Sequence, residues 1–297
     1  MKRNIFFADL THTGIVINAD IFPYGIGLVA AFAKRELGDD VNIRLFKFPE
    51  KLNKALKNEI PDVMCFSNYA WNENLTLAFV RHIKLVNPNT VIVFGGPNFP
   101  LDKDERKSYL EEHTDIDFYI KWDGELAFTA LLKELMNRNM KSKSFKRDIS
   151  DMANVCFVHQ GVYFEGPDQR VLNLNDMPSP YLTGMFDEFF EDQLTPITET
   201  TRGCPYSCTF CNDGHTSRSK IFRKSDEFIS RELEYIAKRT KNSPQLMLSD
   251  LNFGMFKEDI TTSHTIKRMI DKYNWPQRLE TSTGKSHPKR LIESNNI

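Results

Sequence analysis

The sequence lacks long hydrophobic runs, and its charges are almost balanced. No stretch approaches the roughly 18 apolar residues that a membrane-spanning helix needs. The apolar run that follows Lys2 and Arg3 stops at Asp9, far short of the core of a signal peptide. Lys and Arg number 39 against 40 Asp and Glu, which leaves a formal net charge of -1. We therefore expect a cytoplasmic protein with neither a membrane nor a nucleic-acid partner.

Cysteine is also scarce, and its distribution is uneven. Three of the five cysteines, Cys204, Cys208 and Cys211, lie within eight positions in a C-x3-C-x2-C pattern. Thiolates packed this closely repel one another unless a soft metal centre shares their charge. Three thiolates can hold three irons of a 4Fe-4S cluster and leave the fourth iron open, as a reactive metal site requires. Cys65 and Cys156 are predicted to be small core residues.

A structural zinc site is the alternative for the same cysteines. Zinc usually takes four protein ligands in such a site. His215 follows Cys211 closely and is the candidate for the fourth ligand.

The N-terminal half alternates short apolar strands with helices. The strands are predicted at residues 5–10, 41–45, 63–66, 91–94 and 118–120, and the helices at residues 23–37, 52–56, 75–86, 103–112 and 127–135. Strands that are apolar throughout imply a parallel sheet covered by helices on both faces. The predicted fold class is therefore α/β.

Polar and glycine residues collect where these strands end. They occupy residues 9–14, 67–69 and 95–98. Ligands of a doubly wound sheet bind beyond the carboxyl ends of its strands, and glycine lets the backbone approach a bulky ligand closely. A tight turn is the alternative role for Gly95 and Gly96.

The region between the two halves has a different composition. Residues 138–152 are rich in Lys, Arg, Ser and Asp and predict a solvated linker. Residues 155–164 predict a β-hairpin with Gly161 in its turn. Residues 175–181 carry two prolines and predict a stiff connector.

The cysteine stretch resembles the signature of the radical S-adenosylmethionine (radical SAM) enzymes. The spacing matches that family without a gap, Phe210 is the aromatic residue expected before the last cysteine, and residues 199–205 are typical of members with an extra N-terminal domain. The resemblance implies that the open iron chelates SAM, and that an electron from the cluster splits SAM to give a 5'-deoxyadenosyl radical. It also implies a (β/α) barrel whose first strand, residues 197–201, ends at the cysteines.

Residues 250–254 follow the second predicted barrel strand, at residues 246–248. Their pattern Asp-x-Asn-Phe-Gly resembles a segment that lies near SAM in related enzymes. The resemblance implies that Asp250, Asn252 and Phe210 contact SAM, although a capping turn before a helix at residues 258–273 is the alternative for the first two.

Four blocks of the N-terminal half resemble the cobalamin-binding domain of B12-dependent radical SAM proteins. They lie near residues 23–28, 61–67, 94–97 and 117–125, in the family's order. The resemblance implies a doubly wound, flavodoxin-like domain that binds cobalamin through Asp9, His12, Ser67, Asn68, Gly95 and Gly96. His12 stands one place later than the cobalt ligand of the D-x-H-x-x-G pattern, so a solvated loop histidine is its alternative role.

The expected organisation has three parts. Residues 1–140 form the cobalamin-binding-like domain, residues 141–193 the linker with its hairpin and connector, and residues 194–297 the first part of a radical SAM barrel. A third strand at residues 279–283 and a helix at residues 288–294 end the pattern after about three strand-helix units. The resemblance implies about twice that number, so we expect the barrel to be incomplete and this polypeptide alone to be poorly active.

The resemblance implies an enzyme that cleaves SAM at a 4Fe-4S cluster and, with cobalamin, methylates an unreactive carbon or phosphorus centre of a small molecule. Its expected partner is an electron donor such as flavodoxin or ferredoxin. Cyclisation or rearrangement is the alternative reaction, and a non-catalytic corrinoid or iron-sulfur binding module is the alternative role. Methylthio transfer to RNA is disfavoured because residues 1–140 contain one cysteine, Cys65, too few for a second cluster.

The metal content tests the role of the three clustered cysteines. Anaerobically reconstituted protein should contain about four irons and four sulfides per chain. Alanine at Cys204, Cys208 or Cys211 should abolish this content, whereas Cys156→Ala should retain it. Zinc in place of iron and sulfide, or a full cluster in a variant of the three, would contradict the prediction.

Overall fold

The computed structural model describes residues 2–14, 19–149 and 151–297. The chain folds as two compact units. The first comprises Met1–Ala19 with Gly25–Val171, and the second comprises Asp20–Tyr24 with Leu172–Ile297.

Five parallel strands form the centre of the first unit. In chain order they are β1 (Arg3–Ala8), β2 (Val41–Phe46), β3 (Val63–Ser67), β4 (Val91–Gly95) and β5 (Phe118–Ile120). Their spatial order is β2-β1-β3-β4-β5, the order of a flavodoxin-like doubly wound sheet. Every residue of β3 is buried, as expected for a strand with helices on both faces. The predicted α/β fold class is confirmed.

Helices connect these strands at nearly the predicted positions. They are α1 (Tyr24–Leu37), α2 (Pro49–Asn58), α3 (Glu73–Val86), α4 (Lys103–Glu112) and α5 (Gly124–Asn137). The helix α2 begins with Pro49, whose missing N–H costs nothing in the first turn. The helix α4 is capped by Asp102, whose carboxylate accepts the N–H groups of Asp104 and Glu105.

The segment predicted as a solvated linker contains a packed helix, α6 (Ser142–Asp148). Phe145 is fully buried, and its ring packs at 5.0 Å from Phe118 and 5.9 Å from Phe157. A single aromatic residue among lysines and arginines gives no periodic signal, yet it is enough to hold a short helix against the core. Ser150, the linker residue after this helix and Ile149, lies outside the described residues.

The predicted hairpin also joins the sheet. Its strands β6 (Val155–His159) and β7 (Val162–Glu165) extend the order to seven strands, with β6 antiparallel to β5. The first unit therefore runs to Val171, beyond the predicted domain boundary at residue 140. Cys156 of β6 is fully buried, and burial raises the pKa of its thiol to about 11.

A parallel three-stranded sheet forms the second unit. Its order is β12-β11-β8, where β8 is Ile197–Thr198, β11 is Gln245–Phe253 and β12 is Arg278–Thr283. The helices are α7 (Asp226–Arg239), α8 (Glu258–Tyr273) and α9 (Pro288–Asn295). Strand, helix and parallel strand in succession give the start of a β/α architecture, as predicted.

The first of these strands is shorter than predicted. The chain leaves the sheet after Thr198, and Thr201–Arg202 forms a separate strand, β9, antiparallel to β10 (Phe222–Arg223). The predicted connector packs directly behind β8, because the Tyr181 hydroxyl accepts the N–H of Ile197 at 3.1 Å and donates to its carbonyl at 2.9 Å.

No helix in the described ranges is both long and apolar enough to cross a lipid bilayer.

Truncation of Phe145 distinguishes a packed helix from a linker. Phe145→Ala should lower the free energy of unfolding by about 3–5 kcal/mol, because it leaves a cavity beside Phe118 and Phe157. Lys143→Ala, on the exposed side of the same helix, should change it by no more than about 0.5 kcal/mol. Urea unfolding followed by circular dichroism measures both, and equal stabilities would show that α6 contributes nothing to the core.

Candidate functional site

The three predicted cluster ligands lie on one loop between β9 and β10. Cys204 is buried, with 5% of its surface exposed, while Cys208 and Cys211 are partly exposed, and all are free thiols. The N–H of Cys204 donates to the Arg218 carbonyl at 2.9 Å, and the N–H of Cys211 donates to the Cys208 carbonyl at 3.1 Å. Backbone hydrogen bonds thus close the loop at its base and between its last two cysteines.

Two glycines are required by close backbone contacts in this loop. Gly203 has a φ of +110°, and a Cβ there would lie 2.3 Å from the carbonyl oxygen of Lys220. A Cβ at Gly214 would lie 2.3 Å from the carbonyl oxygen of Cys208. Any side chain at either position would force the cysteine backbone to move.

Asp250 holds the residues that lead into the cysteine loop. It is 1% exposed, and its carboxylate accepts the Thr200 N–H at 2.6 Å, the Thr201 hydroxyl at 3.0 Å and the Thr200 hydroxyl. Burial raises the pKa of Asp250, while the bonds from the two threonines oppose that rise. The predicted SAM contact therefore already has three internal donors, and its evident role is to brace the loop.

A second braced carboxylate was not identified from the sequence. Asp259 is fully buried and accepts the N–H groups of Gly254 and Phe256, both at 2.9 Å. Arg223 donates to the same carboxylate at 3.0 Å and to Thr262 at 2.8 Å. The signal in the sequence is an acidic residue in the first turn of the helix α8, which begins shortly after Phe253 and Gly254.

Tyr206, between the first two clustered cysteines, connects the loop to the segment between β12 and α9. Its hydroxyl donates to the Ser286 hydroxyl at 2.6 Å and lies 3.3 Å from the Met255 sulfur. The sequence offered no signal for this contact, because the partners are far apart along the chain.

Asn252 is the predicted SAM residue that contacts a cysteine. Its Nδ2 donates to the Sγ of Cys204 at 3.2 Å, and the side chain is almost fully buried. Its Oδ1 is buried without a hydrogen-bond partner among the described residues. Phe210, by contrast, projects from the loop with 88% of its surface exposed.

The donor set fits an iron-sulfur cluster in its chemistry. Three free thiols occupy one braced loop, and an amide N–H points at the most buried sulfur, as hydrogen bonds to cluster sulfurs do. Within the described residues, no three His, Cys, Asp or Glu side chains are grouped to hold a metal ion, and this holds for the three loop cysteines as well. The Nδ1 of His215 lies 2.8 Å from the Ser217 hydroxyl.

The predicted cobalamin residues lie at the carboxyl edge of the sheet, and most of them have internal partners. Asp9 accepts from Lys47 at 3.0 Å and from the Ser67 hydroxyl at 2.5 Å, so a buried ion pair joins the ends of three strands. The Asn68 amide donates to the Asn98 carbonyl at 3.0 Å and to the Tyr109 hydroxyl at 2.9 Å. Asp9, Ser67 and Asn68 thus form a hydrogen-bonded layer beneath the carboxyl edge of the sheet. We call this layer the floor.

Gly96 makes a close backbone contact with Asn68 in the same floor, and this contact requires a glycine. Its φ is +112°, and a Cβ would lie 2.7 Å from the carbonyl oxygen of Asn68. A Cβ at Gly95 would make only an ordinary contact, at 3.5 Å from the Ile120 carbonyl oxygen. The close approach that Gly96 permits is therefore between two loops of the protein itself.

His12 lies on the solvent side of this floor. It is exposed, and its Nε2 lies 2.9 Å from the carbonyl oxygen of Trp71. The Trp71 ring is stacked on Tyr69 at 4.4 Å and is 49% exposed. An exposed aromatic stack beside the ends of β1 and β3 is an apolar surface that the sequence analysis did not identify.

Comparison with known families and curated proteins confirms the resemblance. Residues 11–132 match the B12 binding domain. The chain is 28% identical over 240 residues to the cobalamin-dependent radical SAM methyltransferase TokK of Streptomyces tokunonensis, covering 78% of this chain and 34% of TokK. It is 26% identical over 302 positions to the 2-(S-pantetheinyl)-carbapenam-3-carboxylate methyltransferase of Streptantibioticus cattleyicolor, covering 98% of this chain and 42% of that protein. The chain thus spans less than half the length of these two relatives.

Solved structures share the fold. The cobalamin-dependent SAM radical enzyme OxsB, with aqua-cobalamin and SAM bound, matches with a TM-score of 0.68 at 16% identity, over 99% of this chain and 41% of its own. The radical SAM methyltransferase TsrM of Kitasatospora setae, with cobalamin and a 4Fe-4S cluster bound, matches with a TM-score of 0.63 at 15% identity, over 91% of this chain and 52% of its own.

The bracing role of Asp250 is testable by two substitutions. Asp250→Ala should lower the free energy of unfolding by at least about 2 kcal/mol and reduce the iron bound on reconstitution, because buried threonine donors lose their acceptor. Asp250→Asn should lose less, since the amide oxygen still accepts from Thr200. Chemical denaturation and iron analysis measure both effects. Asp271→Ala, in an exposed pair with Lys267, is the control, and an equal loss in the control would remove the assigned role.

Proposed function

We propose that this chain, which carries a B12-binding domain and is homologous to cobalamin-dependent radical SAM methyltransferases, cleaves SAM reductively and methylates an unreactive carbon or phosphorus centre. The observation that carries the proposal is the braced cysteine loop. Three free thiols lie on it, and the buried amide of Asn252 donates to the sulfur of Cys204.

Cys204, Cys208 and Cys211 would hold the 4Fe-4S cluster, leaving one iron for SAM. When bound, the cluster and cobalamin would supply the electron and the methyl group, which are chemistry that protein side chains cannot provide. The protein itself would hold the three cysteine ligands in rigid positions. Asp250 restrains the approach to Cys204, and Tyr206 restrains the segment between Cys204 and Cys208.

SAM has an ammonium and a carboxylate at one end and an aromatic base at the other. The unpartnered Oδ1 of Asn252 offers a buried acceptor for the ammonium. Phe210 presents an exposed ring next to Cys211, which suits contact with apolar parts of the cofactor. Asp250 is not assigned to SAM, because its oxygens are already engaged by Thr200 and Thr201.

The corrinoid would bind at the carboxyl edge of the first sheet. The floor of Asp9, Ser67 and Asn68 keeps the strand ends in place, and the exposed stack of Trp71 on Tyr69 provides a flat apolar surface. Aromatic side chains line many ligand sites, and this stack would give the corrinoid a flat apolar contact. His12 lies beside this stack and is a polar contact for the corrinoid.

A low-potential electron donor such as flavodoxin or ferredoxin is the proposed partner, and a small molecule is the proposed substrate. The balanced net charge of -1 gives no indication of a nucleic-acid substrate.

An anaerobic assay tests the reaction. The reconstituted chain, reduced with dithionite and supplied with hydroxocobalamin and SAM, should form 5'-deoxyadenosine slowly, as expected of a poorly active chain, but above the background of Cys208→Ala, which lacks a cluster ligand. The amount is measured by chromatography and mass spectrometry.

The same assay separates the enzyme from a binding module. A stable cluster that neither binds SAM nor forms 5'-deoxyadenosine would contradict the proposed function and favour the non-catalytic role. Spectroscopic titration with hydroxocobalamin tests the corrinoid site independently of SAM.

A further inference from the structure

We propose that Asn252 couples the iron-sulfur cluster to its SAM ligand through the two ends of one amide. Its Nδ2–H donates to the sulfur of Cys204 and raises the reduction potential of the cluster, while its Oδ1 accepts from the SAM ammonium. This inference rests on the proposed function, and it goes beyond it by assigning Asn252 control of the potential.

The donor side of the amide is seen directly. Nδ2 lies 3.2 Å from Sγ of Cys204, within hydrogen-bond range of a sulfur acceptor, and both side chains are at least nine-tenths buried. Water competes little with a hydrogen bond in such surroundings, so its electrostatic effect on the sulfur is strong.

The chemistry of the sulfur determines which end of the amide faces it. A thiolate bound to iron carries no proton and can only accept a hydrogen bond. The NH2 group must therefore face Cys204, and Oδ1 must point elsewhere. In the structure Oδ1 is buried and has no partner in the described part of the chain. An unsatisfied buried acceptor is costly, and a ligand that donates a hydrogen bond to it removes that cost.

The position of Asn252 is set by its strand. Asp250 and Asn252 are two residues apart in β11, and alternation along a strand places their side chains on one face. Asp250 bonds the threonines before Cys204, so the same strand segment holds both the base of the loop and its buried sulfur. The turn that follows is closed by Asp259, which accepts the N–H of Gly254 at 2.9 Å. The amide therefore has little freedom to leave the sulfur.

The consequence is a link between two properties of the cluster. Hydrogen bonds to its sulfurs stabilise the more negative, reduced state and raise the potential. A ligand held by Oδ1 restrains the same amide, and linkage requires that cluster reduction and SAM binding affect one another.

Potentiometric titration of the reconstituted full chain, followed by electron paramagnetic resonance, tests the donor. Asn252→Leu removes both ends of the amide, and Asn252→Asp keeps acceptor oxygens but removes the donor. Both variants should have a more negative midpoint potential than the wild type. Asn242→Leu, which removes an exposed amide that donates to the Glu191 carbonyl instead of to a cysteine sulfur, should leave the potential unchanged.

SAM binding tests the role of Oδ1 of Asn252 as a hydrogen-bond acceptor. Binding is measured from the change that SAM causes in the electron paramagnetic resonance spectrum of the cluster. Asn252→Leu should weaken binding by about tenfold or more, the usual loss for a charge-assisted hydrogen bond. Asn252→Asp should bind SAM at least as well as the wild type, because a carboxylate attracts the ammonium.

The outcomes distinguish this inference from the proposed function. A wild-type potential in both variants, with an intact cluster, would overturn the role of Asn252 and leave the proposed function standing. A wild-type chain that assembles no 4Fe-4S cluster would overturn the proposed function itself. If Asn252→Leu assembles no cluster, the midpoint potential of Asn252→Asp, whose side chain has the same size as asparagine, is compared with that of the wild type.

Discussion

The bond between the Asp250 carboxylate and the backbone of Thr200 is the contact on which the candidate site depends. It joins the end of one parallel strand to the approach of the cysteine loop, and it is fully buried. A carboxylate taken out of water needs such donors, and the two threonines supply them. The acidic residue therefore satisfies its own burial and, in doing so, sets where the chain enters the loop at Cys204.

Buried charges are paired in each unit in the same way. Asp9 with Lys47 joins strand ends in the first unit, and Lys224 with Glu232, at 3.0 Å and almost fully buried, joins the loop after β10 to α7 in the second. Breaking such a pair leaves a charge without compensation, so each pair restricts the conformations of the segments that carry it. Each unit thus contains a buried ion pair, while Trp71 in the first unit and Phe210 in the second are exposed.

Much of the fold was predictable because its patterns are local. The five apolar strands and the helices between them follow from periodicity and flanking turn residues, and residues 103–112 and 118–120 match the observed elements. The helix at Ser142–Asp148 was missed because Phe145 is its one buried residue, and one residue has no period. Its place beside Phe118 and Phe157 depends on a strand and a hairpin that come together only in the folded sheet.

The sequence by itself predicted a 4Fe-4S cluster, since the spacing of Cys204, Cys208 and Cys211 is a short-range feature that the chemistry of cluster ligands constrains directly. Tertiary structure alone decided that Asp250 and Asn252 have different roles. Two residues of similar size on one strand face different neighbours: one meets two threonines and braces the chain, and the other meets a sulfur and keeps a free acceptor. No local pattern distinguishes them, because their partners lie about fifty positions earlier in the chain and reach them only through the parallel pairing of β11 with β8.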